Sequence, residues 1–67
     1  MFNMRKAVKQ ALLNRSMTMT KLAASIGKDR ASLTESLYNG NPVFVTVANV
    51  ATELNYKLSD FIALGED

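Results

Sequence analysis

The sequence predicts a single all-α domain, and three observations support this fold class. Its 67 residues are enough for one domain and no more. Apolar residues recur at helical spacing along most of the chain, and residues that begin or end helices stand between these stretches. The one β-branched run, residues 43–47, has no second segment with which it could pair as a strand.

The first two predicted helices cover residues 3–15 and 20–26. The apolar residues of the first form one stripe, consisting of Met4, Ala7, Val8, Ala11 and Leu12. Residues 16–19 interrupt the pattern, and the hydroxyl of Thr18 or Thr20 can cap the second helix. Gly27 ends the second helix, because glycine tolerates the left-handed backbone found at helix ends.

The third predicted helix ends near Tyr38 and has two possible starts. Asp29 is a good N-cap, whereas Ser32 and Glu35 have the spacing of a capping box that would begin the helix one turn later. The Asn-Gly-Asn-Pro sequence at 39–42 then predicts a turn.

Residues 43–54 are predicted to form the fourth helix. Local propensity in 43–47 favours a strand, but the apolar residues from Phe44 to Leu54 follow helical spacing. After a turn at 55–57, Ser59 and Asp60 are expected to open a short fifth helix, which ends before an acidic segment at 65–67.

Charge and composition exclude several functions. The chain has no cysteine and no histidine, so we expect no metal site, no cofactor and no enzymatic activity. Residues 1–40 carry seven basic and two acidic residues, whereas residues 41–67 carry one basic and four acidic residues. The resulting charges of +5 and −3 fit two interpretations: the first half contacts a polyanion, or the charges serve only to keep the protein in solution. No apolar run approaches the length of a membrane span, and we expect a cytoplasmic protein.

Residues 20–40 have the spacing of a helix-turn-helix. Ala23 and Gly27 are four residues apart, and Leu33 follows six residues after the glycine. Two short helices that cross steeply need a small residue at their contact, a glycine at the turn and a large apolar residue on the second helix. This arrangement presents the outer face of the second helix to a DNA major groove.

Residues 18–62 resemble the Cro/cI-like helix-turn-helix domain, also called the XRE family. The matching segments are TMTKLAASIG, DRASLTESLYNGNP and VANVATELNYKLSDFI. The resemblance implies a compact five-helix bundle of the lambda-repressor-like type over residues 1–67, with the helix-turn-helix at about 20–38. It also implies a sequence-specific regulator that binds an operator in double-stranded DNA, in the style of small Cro-type phage or prophage repressors, acting at the nucleoid without a small-molecule ligand.

The resemblance also assigns site residues. The residues expected to contact DNA bases are Arg30, Ala31, Ser32, Thr34 and Glu35, although Arg30 and Glu35 can also be ordinary surface residues. The residues expected to contact DNA phosphates are Thr18, Thr20, Lys21, Lys28, Asn39 and Asn41. The threonines can instead act only as helix caps, and the asparagines only as turn formers.

A homodimer is expected, because two-fold proteins read palindromic sites. We expect its interface to contain Tyr56, Phe61, Ile62 and Leu64, although Phe61 and Ile62 can instead close the core of the monomer. The alternative function is a protein-interaction module on the same fold, such as an antirepressor or an antitoxin component. Met19, Lys28 and Glu35 leave this alternative open; Met19 and Lys28 stand where the family usually has other residue types.

Overall fold

The computed structural model describes residues 1–39 and 44–66, which form five α-helices and no β-strand. A single antiparallel bridge pairs Phe2 with Glu66. The fold class and the order of helices therefore confirm the prediction. The helices are α1 (Met4–Asn14), α2 (Met19–Ser25), α3 (Arg30–Tyr38), α4 (Phe44–Glu53) and α5 (Leu58–Leu64).

All five helices contribute to one core. α1 packs against α3 and α5, α2 packs against α3 and α4, and α4 also packs against α3 and α5. Phe61 is the largest of the fully buried side chains. The buried residues are Ala7, Val8, Ala11, Leu22, Ala23, Leu33, Leu37, Val50, Ala51, Leu54 and Phe61.

Three helices begin with a side chain that accepts a hydrogen bond from a free backbone N–H. Asn3 caps α1, Thr18 caps α2 and Asp29 caps α3. The predictions for Thr18 and Asp29 are confirmed, and the later start of α3 at a Ser32–Glu35 capping box is not used. The predicted fifth helix is present, and Ser59 and Asp60 lie in its first turn. α5 begins one residue earlier, at Leu58, and has no side-chain cap.

Three helices end in the same hydrogen-bonded motif, in which a left-handed residue follows the helix. Gly27 (φ 77°) fills this position after α2, Ser16 (φ 53°) after α1 and Asn55 (φ 62°) after α4. After α2, the N–H of Lys28 donates to the carbonyl of Ala23 (2.9 Å), and the N–H of Gly27 donates to that of Ala24 (3.2 Å). This is a Schellman motif, which satisfies the carbonyls that a helix end leaves free.

Gly65 allows the backbone after α5 to approach the start of α1. Its carbonyl accepts a hydrogen bond from the N–H of Asn3 (2.8 Å). A Cβ at position 65 would lie 2.6 Å from the Asn3 carbonyl oxygen and 2.9 Å from the Cβ of Ala7. The position therefore requires glycine for space rather than for an unusual φ angle.

The charge on Asp29 is expected to stabilise the domain above about pH 4. Hydrogen bonds from the Ser32 backbone N–H and hydroxyl lower the pKa of Asp29. A lowered pKa stabilises the folded state fully above the ordinary carboxyl range, and this stabilisation is lost as pH falls through the lowered value. In Asp29→Asn, which keeps a capping oxygen, thermal unfolding between pH 7 and pH 2 should show a smaller acid-induced fall in midpoint. Parallel curves for the two proteins would contradict this role.

Candidate nucleic-acid interface

Helices α2 and α3 pack together and are joined by the short connection 26–29. The left-handed Gly27 makes this sharp connection possible, and Asp29 starts α3 immediately after it. Leu33 and Leu37 bury one face of α3 in the core. The opposite face of α3 therefore points away from the bundle.

The predicted base-reading residues divide between two sides of α3. Ala31, Ser32 and Glu35 lie on the exposed outer face. Arg30 is also exposed and Thr34 is half-buried, but both line a groove between α3 and α1. The structure therefore keeps all five on one helix without placing them all on one surface.

This groove, which we call the α1–α3 groove, has a volume of about 690 Å³ and is open to solvent. Val8, Leu12 and Met19 supply its apolar residues. The remaining lining side chains are polar, basic or aromatic, and none of the lining residues is acidic; they are Asn3, Arg5, Lys6, Lys9, Arg30, Thr34 and Tyr38.

Two of the basic residues in the groove have defined partners. The Arg5 guanidinium lies over the Tyr38 ring, 4.3 Å from its centre. Burial raises the pKa of Tyr38, and the nearby positive charge of Arg5 opposes this change. The Lys6 ammonium donates to the carbonyl of Glu66 (2.8 Å), so Lys6 helps to hold the chain end against α1.

The predicted phosphate contacts lie at the ends of α2 and α3. Thr18, Thr20 and Lys21 are exposed at the start of α2. Lys28 is exposed in the connection, and Asn39 is exposed at the end of α3. The Thr18 hydroxyl already accepts the Lys21 N–H as a helix cap (3.2 Å). The remaining prediction, Asn41, lies outside the described residues.

Of the predicted dimer residues, only Ile62 is exposed. The prediction that Phe61 lies on an exposed face was wrong: it is fully buried, because α5 turns this ring into the core. Leu64 is partly buried against the core. The Arg15 guanidinium covers the Tyr56 ring (4.2 Å from its centre), and the amide of Asn14 donates to its hydroxyl (2.9 Å).

Ile62 lines an apolar groove of about 390 Å³. Phe44, at the start of α4, lines the same groove and is 69% exposed, compared with 38% for Ile62. Val45, the next residue along α4, is 61% exposed. Two of the exposed large apolar side chains of α4 and α5, Phe44 and Ile62, therefore line this groove, which also contains Phe2, Met4, Val47 and Leu58.

Sequence reasoning did not find the α1–α3 groove. Arg5 and Lys9 are one turn apart on α1, and Arg30, Thr34 and Tyr38 are one turn apart on α3. Each spacing can be read from the sequence, but the sequence does not show that these faces of α1 and α3 pack side by side. The sequence also gives no sign of the role of Arg15, whose guanidinium donates to the carbonyls of Leu54 (2.9 Å) and Asn55 (3.3 Å).

Residues 1–39 and 44–66 contain no cluster of three or more aspartate, glutamate, histidine or cysteine side chains that could hold a metal ion. None of the helices in this part of the chain is long and apolar enough to cross a membrane. Comparisons with protein-family models, curated proteins and solved structures found no match.

Proposed function

We propose that this protein is a sequence-specific regulator of transcription that binds double-stranded DNA, with α3 in the major groove. In this proposal the bundle is of the lambda-repressor-like type, and α2 with α3 forms its helix-turn-helix. The observation that carries the proposal is the exposed outer face of α3, which follows a tight left-handed turn in the basic half of the chain.

The exposed side chains of α3 suit contacts with base edges. Glu35 can accept a hydrogen bond from the amino group of cytosine, and the Ala31 methyl can contact the methyl group of thymine. Ser32 has less freedom, because its hydroxyl donates to Asp29. Arg30 and Thr34, at the rim of the α1–α3 groove, can reach either a base edge or the adjacent phosphates.

The start of α2 and the connection after it supply phosphate contacts. Lys21 and Lys28 are exposed, and no carboxylate of the described residues forms an ion pair with either. Neutralising phosphates releases counterions from DNA, and this term supplies much of the affinity of DNA-binding proteins. Thr18, Thr20 and Asn39 add neutral hydrogen-bonding groups beside these charges.

A homodimer would place two copies of α3 on a palindromic operator about one helical turn apart. We assign its interface to the surface around Ile62, which includes Phe44 and Val45. Such a dimer would repress transcription by covering a promoter. It would act on DNA in the cytoplasm.

Selection of bound duplexes from a random DNA library tests the proposed function. The full chain should enrich one motif with two-fold symmetry, and the enriched duplex should compete with excess random DNA for the protein. A library that stays random after several rounds would contradict sequence-specific binding. Tight binding of a protein partner in that case would favour the interaction-module alternative.

Replacing Ile62 with glutamate is expected to weaken the dimer without unfolding the monomer. The side chain is 38% exposed, so the new carboxylate can reach solvent, but it would place two like charges at a two-fold interface. We expect a dimer of wild-type protein and mainly monomer for the variant by sedimentation velocity, with an unchanged helical circular dichroism spectrum. Lys57→Gln, a charge change at an exposed residue outside the groove, is the control. Equal association of all three proteins would contradict this interface.

A further inference from the structure

We propose that the α1–α3 groove is a phosphate-binding site that holds the DNA backbone beside the segment contacted by α3. Arg5 and Lys9 on α1 and Arg30 on α3 are its ligands. This inference rests on the proposed function and extends the DNA-binding surface from the helix-turn-helix to α1.

The charges of the groove favour an anion. Four cationic side chains line one open groove, and none of the residues that line it is acidic. One of the four, Lys6, donates to the Glu66 carbonyl, which leaves Arg5, Lys9 and Arg30 as the ligands considered for an anion. Arg5, Lys9 and Arg30 form no ion pair with a carboxylate in residues 1–39 and 44–66. Like charges repel one another, so the electrostatic free energy of these side chains falls when an anion binds between them.

The geometry of the groove suits the backbone of a nucleic acid. Arg5 and Lys9 are one turn apart on α1, a separation of roughly 6 Å along the helix axis. The two charges can therefore bind separate phosphate groups. Arg30 at the start of α3 faces them from the other side of the groove. A strand that follows the groove would thus lie alongside the exposed face of α3.

Tyr38 is the positioning residue for Arg5. Its ring stacks on the guanidinium at 4.3 Å, and the contact restricts a side chain that is otherwise long and mobile. A planar guanidinium held in this way keeps its N–H groups available for the paired oxygens of a phosphate. The aromatic ring, rather than the hydroxyl, carries this role.

The salt dependence of DNA binding tests the site. In the double variant Arg5→Gln/Lys9→Gln, the slope of log K against log salt concentration should become shallower by about 1.8, since each phosphate contact contributes about 0.9. If the affinities converge at 1 M salt, this corresponds to about a 60-fold loss at 0.1 M salt. The loss should be equal for the selected duplex and for a random duplex, because phosphates carry no sequence information.

Matched variants separate this effect from a general loss of charge or stability. Lys57→Gln removes one positive charge from an exposed residue outside the groove and should leave the slope nearly unchanged. Tyr38→Phe should keep the wild-type slope, whereas Tyr38→Leu should reduce it, provided that both retain the wild-type thermal unfolding midpoint within a few degrees. An unchanged slope in Arg5→Gln/Lys9→Gln would overturn the proposal.

A nuclear magnetic resonance titration distinguishes failure of this site from failure of the proposed function. The probes are a random DNA duplex and inorganic pyrophosphate, and the side-chain signals of Arg5 and Arg30 report on the groove. In the wild-type protein, shifts of both signals with the duplex, together with a smaller Arg30 shift in the double variant, support the site even if library selection finds no motif. Saturable shifts with pyrophosphate alone would show a site for free phosphates and overturn the assignment to DNA. If neither probe moves these signals, the groove binds no phosphate, whatever α3 recognises.

Discussion

Phe61→Ala is expected to remove a large part of the stability of the domain. The ring is fully buried and is the largest buried side chain in the core. Replacing a buried phenylalanine with alanine typically costs about 3–5 kcal/mol, because the apolar contacts are lost and a cavity remains. A domain of 67 residues has a total stability of roughly 3–10 kcal/mol. The substitution therefore removes a large part, or all, of the free energy of unfolding.

Thermal and urea unfolding followed by circular dichroism measure this effect. Ile62→Ala is the matched control, because Ile62 is the adjacent residue on α5 and is 38% exposed. We expect a much smaller loss of stability for Ile62→Ala than for Phe61→Ala. Similar losses in the two variants would contradict the orientation of α5 described above.

Ala31→Glu is expected to abolish DNA binding while leaving the fold intact. Ala31 is exposed on the outer face of α3, one turn before Glu35. Glutamate is a good helix former, and an acid near the start of α3 suits the helix dipole. Against DNA, the second carboxylate would face phosphates at close range, and such like-charge contacts cost several kcal/mol. We expect at least a hundredfold loss of affinity in a fluorescence anisotropy titration with the selected duplex.

Thr52→Glu adds the same charge to an exposed position on α4 and serves as the control for Ala31→Glu. It should bind the duplex with nearly wild-type affinity. If the two variants lose affinity equally, the effect comes from net charge and α3 is not the recognition helix. If neither loses affinity, DNA contacts a different surface of the protein.

The helices could be predicted because their signals are local. The apolar stripe of α1, the caps at Thr18 and Asp29 and the left-handed Gly27 are all read from neighbouring residues. The start of α5 differs from the prediction by one residue, because Lys57 offers no capping side chain and Ser59 does. A cap assigned by residue type alone indicates where a helix can start, but packing decides where it does start.

The surfaces were harder to predict because they depend on which helices meet. Apolar residues lie on several sides of α5, so the sequence alone does not distinguish the buried Phe61 from the exposed Ile62. The same difficulty concealed Arg15, whose partners are about 40 residues away in the chain. The α1–α3 groove likewise exists only after two distant helix faces have packed together.

The packing of α1 against α5 has a consequence for folding during synthesis. A ribosome makes a chain from its N-terminus, so α1 emerges well before α5, against which it packs. Until residues 58–64 have been made, α1 can pack only against α3, so the part of its buried face that meets α5 is uncovered and the core lacks Phe61. Nascent chains that stop after α4 should therefore remain sensitive to protease, whereas chains that extend through α5 and clear the exit tunnel should become resistant in one step.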